Sequence, residues 1–411
     1  MRGHADDQPP LFHSFNVEDR IRSDHPLRDV KRRVDRILAG LSDRFAAAYS
    51  STGRPGVPPE RLLKALLLLS LYSIRSERQL CEQIDVNLLF RWFLDLQPSE
   101  EAFDATTFTH NRKRLDAHGL TAAFFDAVVA EALTAGLCSE HFSVDGTLIE
   151  SHASAKSFQP KPVPATQPPP SVDGGTPTPG ASPPSADGVP AVPSSPPPSP
   201  ASANGFKPRN AEVDFHGQKR TNETHASKTD PEAKLYRKGR GKEAKLSHMG
   251  HTLTDNRNGL IVGVDATEAS GTAERAAALK MLDELKAKHG RTPKTLGADK
   301  GYDDGAFFRD VESRGIEPHV PLVKDPREPA SASKKDRPGV EARQRMKGRM
   351  GMEGYRLSQK CRKKIEEGFG WLKTIAGLDR SRTVGRWKLR QMLEIGAAAF
   401  NLVRLRTLKP A

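Results

Sequence analysis

The sequence predicts an α+β protein, with an all-α first third followed by an α/β domain whose mixed sheet is flanked by helices. Three observations carry this expectation. Apolar residues recur at three- and four-residue steps through residues 26–137, the rhythm of helices with one buried face. At His141 the period changes, and strand-like runs then alternate with helical ones. Late in the chain, Leu357 to Thr374 (LSQKCRKKIEEGFGWLKT) sets Leu357, Cys361, Ile365, Phe369 and Leu372 on one apolar stripe of a single helix.

With 411 residues the chain has material for two or three domains. Its 64 Lys and Arg against 51 Asp and Glu give a net charge of +13, which favours a polyanionic partner, nucleic acid first. Ribosomal and membrane-surface roles produce the same sign. The three cysteines, Cys81, Cys138 and Cys361, are far apart and lack C-x-x-C spacing, which argues against a disulfide framework or a cysteine-ligated zinc. The N-terminus lacks the apolar stretch of a secretory signal. The most apolar run, Leu62 to Tyr72, is interrupted by Lys64 and is too short to span a bilayer. The expectation is a soluble cytoplasmic, nucleoid-associated protein.

Residues 1–25 are polar and are expected to be poorly ordered. From Pro26 the positions Leu27, Val30, Val34, Ile37, Leu38, Leu41 and Phe45 keep a helical rhythm. A Gly/Pro-rich break at 50–58 precedes a helix starting at Pro59, where the missing N–H costs nothing. Ser76 with Gln79 has capping-box spacing and opens a third helix. Residues 86–96 (VNLLFRWFLDL) add aromatic bulk, and Leu120 to Leu137 forms a further helix. Between them lies the basic TFTHNRKRL, whose Arg112, Lys113 and Arg114 are candidate DNA contacts. The series suits a helix-turn-helix-like DNA-binding module and equally an ordinary bundle with a solvated basic face. It forms the expected helical N-terminal domain, 26–138.

Phe142 to Asp145 reads as a short strand closed by a carboxylate. Residues 159–208 hold 17 of the 32 prolines and cannot bury a core, so they are expected to be a disordered insertion. The domain they interrupt spans 139–158 and 209–411. After a basic stretch at 219–245, Leu246 to Thr254 and Leu260 to Thr267 flank an Asn-Gly turn and read as a hairpin. Thr272 to His289 is a helix closed by Gly290. Thr295 to Asp299 is a strand ending in a second carboxylate, Asp304 to Arg314 a helix, and Glu317 to Val323 a strand. Residues 324–354 read as basic and irregular, and Trp387 to Leu405 as an amphipathic helix.

The order strand, hairpin, helix, strand, helix, strand, helix fits an RNase H-like domain. Asp145 and Asp299 close two strands. Glu366 lies on one flank of the 357–374 helix with Arg362 and Lys373, while Glu367 points away. Three converging carboxylates would hold two divalent cations, with Mg²⁺ or Mn²⁺ favoured over zinc by the hard oxygen donors. Such a pair clamps the attacking and leaving oxygens of a phosphoryl displacement. Each residue also has a plainer role open to it. Asp before Gly commonly forms turns, and charged helix flanks are commonly solvated. Asp265, Asp303 and Asp304 compete as carboxylates. His225, His248, His251 and His319 form no metal-binding array and read as polar surface or phosphate contacts. Thr147, Lys156, Lys300 and Tyr302 are weak candidates for positioning phosphates.

The chain resembles the DDE transposases of bacterial insertion sequences, within them the insertion-sequence-five group. FSVDGTLIESHASAKSF resembles the block carrying the first catalytic Asp, at Asp145, and GADKGYD the second, at Asp299. The third block has the signature Tyr, two residues, Arg, three residues, Glu, six residues, Lys. Arg362, Glu366 and Lys373 fit its last three members, whereas its Tyr falls on Gln359. RPGVPPERLLKALLLLSLYSIRSERQL and NLLFRWFLDL resemble the group's helical N-terminal domain. The resemblance implies binding of terminal inverted repeats, metal-dependent cleavage and strand transfer, and a homodimer on double-stranded DNA. It further implies that Asp145 bridges two Mg²⁺ ions (or Mn²⁺), that Asp299 and Glu366 each complete one side, and that Arg362, Lys373 and Lys300 contact DNA. Rival expectations are a domesticated, catalytically inactive repressor and a stand-alone nuclease.

Overall fold

A computed structural model describes residues 16–50, 56–161, 213–215, 218–237 and 242–408, with positions 52 and 239. The proline-rich tract lies almost wholly outside these residues. Eight helices come first: α1 (Val17–Arg20), α2 (Leu27–Ala39), α3 (Ser42–Ala48), α4 (Pro59–Leu71), α5 (Glu77–Val86), α6 (Leu88–Phe93), α7 (Thr106–Ala117) and α8 (Leu120–Thr134). Residues 16–25 are more ordered than their polarity suggests: Asn16 caps α1, and Val17 and Ile21 are buried. The rhythm from Leu27 to Phe45 is divided between α2 and α3. Ser76 accepts from Gln79 N at 3.1 Å and Gln79 accepts from Arg75 N at 3.3 Å, so the cap is made from both sides. Lys64 is buried inside α4 and paired with Asp35 and Asp95, which explains how an apolar run tolerates its charge.

The sheet is built from β1 (His141–Glu150), β6 (Lys234–Arg237), β7 (Ala244–Asp255), β8 (Ile261–Glu268), β9 (Thr295–Gly297) and β10 (Glu317–His319). Two short ribbons lie apart from it: β2 (Phe158–Pro160) pairs with β5 (His225–Ser227), and β3 (Val213–Phe215) with β4 (Gln218–Arg220). The long run is β8, β7, β1, β9, β10, antiparallel across the first three and parallel across the last three. β6 takes the remaining part of the β7 edge. The β7–β8 turn is organised by buried Asp255, which accepts from Ser139 N, Ser139 Oγ and Asn258 N at 2.6–2.7 Å.

The connecting helices are α9 (Ala273–His289), α10 (Gly305–Glu312), α11 (Arg337–Arg349), α12 (Glu353–Arg362), α13 (Lys364–Thr374) and α14 (Arg386–Leu405). α14 is buried along most of its length rather than on one side, packing on β8 as well as on α4 and α8, so one continuous core runs through both halves of the chain. Its inward polar groups are all engaged. Asn401 exchanges two hydrogen bonds with the Ile261 backbone at 2.9 and 2.7 Å, Glu394 accepts from Thr121 Oγ1 at 2.7 Å, and Gln391 donates to Arg112 O at 3.0 Å. A second buried polar knot joins β7 to the chain before β6: Asp230 Oδ2 lies 2.9 Å from both His248 Nε2 and Ser151 Oγ. Among the described residues, no helix is long and apolar enough to cross a membrane.

Candidate active site

Register brings the first two carboxylates together. β1 and β9 run parallel and pair from His141↔Thr295 to Ser143↔Gly297. Asp145, still on β1, and Asp299, just past the end of β9, each stand two residues beyond that last couple. Asp145 does not close its strand as expected, because β1 continues to Glu150 with Asp145 opposite Thr252 of β7. What ends beside it is the parallel pairing, which opens that edge of β1. Asp299 turns the chain by accepting from Gly301 N at 2.7 Å. Gly297 is needed here, since a Cβ would stand 2.9 Å from Ser143 Oγ and 3.0 Å from Ser358 Oγ, where β1 and α12 close on the strand.

The single helix expected over 357–374 is two. α12 ends at Arg362, and Lys363 separates it from α13. Glu366 N bonds to Lys363 O, a tight three-residue turn, while the Lys364 ammonium reaches back to Asn256 O at 3.1 Å. The apolar stripe belongs to α13: Ile365, Phe369 and Leu372 are buried, whereas Leu357 is 59% exposed. The break puts Arg362 and Glu366 on either side of a bend facing β1. Arg362 Nη1 lies 3.7 Å from Asp145 Oδ2. Glu367 instead pairs with Arg404 of α14 at 2.7 Å. Gln359 donates to His319 O at 2.6 Å and Ala298 O at 3.4 Å, tying α12 to the strand ends just before Asp299.

Charge accumulates at this bend. Burial pushes the Asp145 carboxyl up to about 6, with Asp299 and Glu366 adding to the push and the Gly146 N–H and Arg362 opposing it. Tyr302, fully buried, is raised well above the ordinary tyrosine value by burial and then by Glu274, Asp145 and Asp299. Among the described residues, no three His, Cys, Asp or Glu side chains stand close enough to hold an ion as placed. The competing carboxylates are engaged elsewhere: Asp303 with Arg343, Asp304 capping α10, and Asp265 with Lys280.

The basic candidates divide. Arg112 is turned inward, 5% exposed, with its guanidinium on Glu77 and against Met392 Sδ at 3.6 Å, so it ties α7 to α5 and α14 instead of facing a DNA surface. Lys113 and Arg114 are exposed, with Arg114 over the Tyr49 ring at 4.5 Å. Lys300 is exposed beside Asp299, and Lys373 is partly exposed on α13. Residues 324–354 are not irregular throughout: within α11, Arg343 clasps Asp303 while Arg345 and Arg349 hold Glu312. His248, His251 and His319 are buried in the sheet rather than on the surface. Thr147 is half-buried on β1, and Lys156 is exposed in the turn after it.

A mixed sheet presenting carboxylates beside a broken helix, behind a helical N-terminal region, defines the class. Residues 212–402 match the family described as Transposase DDE domain, and residues 15–114 match Transposase domain (DUF772). Together these span well over half of the chain, which belongs to the insertion-sequence DDE transposases. No curated protein and no solved structure matches it. The DDE-domain match begins after the proline-rich tract, and β1 with Asp145 joins that region by lying between β7 and β9.

Proposed function

We propose that this transposase binds the terminal inverted repeats of its own insertion sequence and moves the element by metal-dependent strand cleavage and strand transfer, with Asp145, Asp299 and Glu366 as the catalytic carboxylates. The observation that carries this reading is the parallel register that sets Asp145 and Asp299 each two residues beyond the last paired couple, beside a Glu366 near enough to repel Asp145. The strand order, three antiparallel then two parallel, supports an RNase H-like fold, and the three sequence blocks support the insertion-sequence-five group.

The donor chemistry fits divalent metal, which the family generally uses. The gathered groups are hard carboxylate oxygens, and burial with mutual repulsion makes Asp145 reluctant to ionise without a cation. Asp145, Asp299 and Glu366 would hold Mg²⁺ or Mn²⁺, which when bound supplies charge stabilisation to an in-line phosphoryl displacement. Arg362, whose guanidinium stands 3.7 Å from Asp145, offers its N–H groups to the scissile phosphate. Lys300, Lys373, Lys113 and Arg114 hold the DNA backbone without reading its sequence. Two element ends handled together call for a homodimer on double-stranded DNA, in the cytoplasm at the nucleoid.

The test uses the full chain with linear DNA bearing the element ends and Mg²⁺ or Mn²⁺. Wild type should nick at the repeat boundary and join the freed 3′ end to a second duplex. Asp145→Asn, Asp299→Asn and Glu366→Gln should each lose about 10³-fold in cleavage while still binding the repeats. Undiminished cleavage by Asp145→Asn would sink the assignment. Binding without cleavage by wild type would mark a repressor, and cut ends without joined product a nuclease.

A further inference from the structure

Glu274 opens α9, where a carboxylate ordinarily serves the helix dipole. Its position says more. The point where a Cβ on Gly146 would stand is 2.9 Å from Glu274 Cγ and 3.0 Å from Oε1. The corresponding point on Gly301 is 2.9 Å from Asp299 Oδ1 and 3.6 Å from Glu274 Oε2. The Glu274 carboxylate therefore lies between the residue after Asp145 and the turn capped by Asp299, and at position 146 a side chain would displace it.

A second observation points to a ligand at the same place. Tyr302 is fully buried, its hydroxyl has no hydrogen-bond partner, and Glu274, Asp145 and Asp299 all bear on it. His251 Nδ1, 3.1 Å from the same Gly146 point, is likewise buried and unpartnered. Two orphaned polar atoms beside a carboxylate cluster are costly unless something polar meets them.

We propose that Glu274 is a fourth carboxylate of the active site, joining Asp145 and Asp299 in holding a divalent cation, with Tyr302 Oη and His251 Nδ1 meeting that ion's bound water. This rests on the reading of Asp145 and Asp299 as metal carboxylates. Mn²⁺ alone, titrated against full-length protein without DNA and followed by electron paramagnetic resonance, tests it. Glu274→Gln should weaken Mn²⁺ binding by at least about ten-fold, with its melting temperature near wild type. Glu274→Asp, which keeps the charge at the helix start but withdraws it from the site, should lose affinity too. Gly146→Ala, whose new methyl meets Glu274, should behave the same way. Affinity within roughly two-fold of wild type in both Glu274 variants, with a loss in Asp145→Asn, would overturn the fourth carboxylate and leave the site standing. Unchanged Mn²⁺ binding in Asp145→Asn as well would overturn both.

Discussion

Asp145 carries its charge in surroundings that favour the neutral acid, first through burial and then through Asp299 and Glu366. Its folded pKa of about 6 exceeds the unfolded value, so its contribution to stability is complete at low pH and is lost as pH rises through the folded value. Asp145→Asn should therefore stabilise the metal-free protein at pH 7.5 by about 2 kcal/mol, seen as a higher urea midpoint. Added Mg²⁺ should raise the wild-type midpoint and leave the variant's unchanged. A metal-free variant no more stable than wild type would deny the repulsion. Asp145, Asp299 and Glu366 stand out in the sequence because they fall in three blocks that resemble those of the DDE transposases. Glu274 does not, since its proposed role depends on which side chains fold next to Gly146 and Gly301, and Tyr302 stands out only as a weak candidate for positioning phosphates. Gln359 is similar: it departs from the resembled signature, yet its amide bridges two strand-end carbonyls.

Among the elements, most of the helices and the hairpin were legible from periodicity and capping residues. Three features were not. The break at Lys363 has no proline or glycine to announce it and follows from a lysine anchored on the Asn256 and Arg257 carbonyls. β1 outruns its short apolar run because β7 continues to pair with it. α11 was hidden by a basic composition whose arginines are engaged on α10 and its flanking residues. The Ser151–Asp230–His248 knot, which fastens the chain before β6 to the sheet, makes a measurable prediction. Burial pushes Asp230 up, but hydrogen bonds from His248, Ser151 and the Gly385 N–H outweigh it, and the pKa ends below the ordinary value. A depressed folded pKa gives stability that is present above the unfolded value and is lost as pH falls through the folded one. Asp230→Ala should cost about 3–5 kcal/mol at pH 7, and this difference should shrink below about pH 4. A gap in urea midpoints that stays constant from pH 7 to pH 3 would contradict it.

At the scale of the molecule, one core joins the N-terminal helices to the sheet through α14. Trp92 lies on α6, whereas Trp371 and Trp387 lie on α13 and α14. Trp92→Phe and the double variant Trp371→Phe/Trp387→Phe therefore report opposite halves by fluorescence. Both should unfold in urea at the midpoint seen by far-UV circular dichroism. Separate midpoints would mean that the halves are held by independent cores. The burial of α14 also governs timing. Every element it packs against precedes it in the chain, so each leaves the ribosome first as synthesis proceeds at roughly 5–20 residues per second. Until α14 arrives, α4, α8 and β8 share a gap that no earlier segment fills, and the nascent chain waits with its apolar surfaces open. A polypeptide stalled before Arg386 should therefore expose the apolar faces of α4, α8 and β8 that α14 covers.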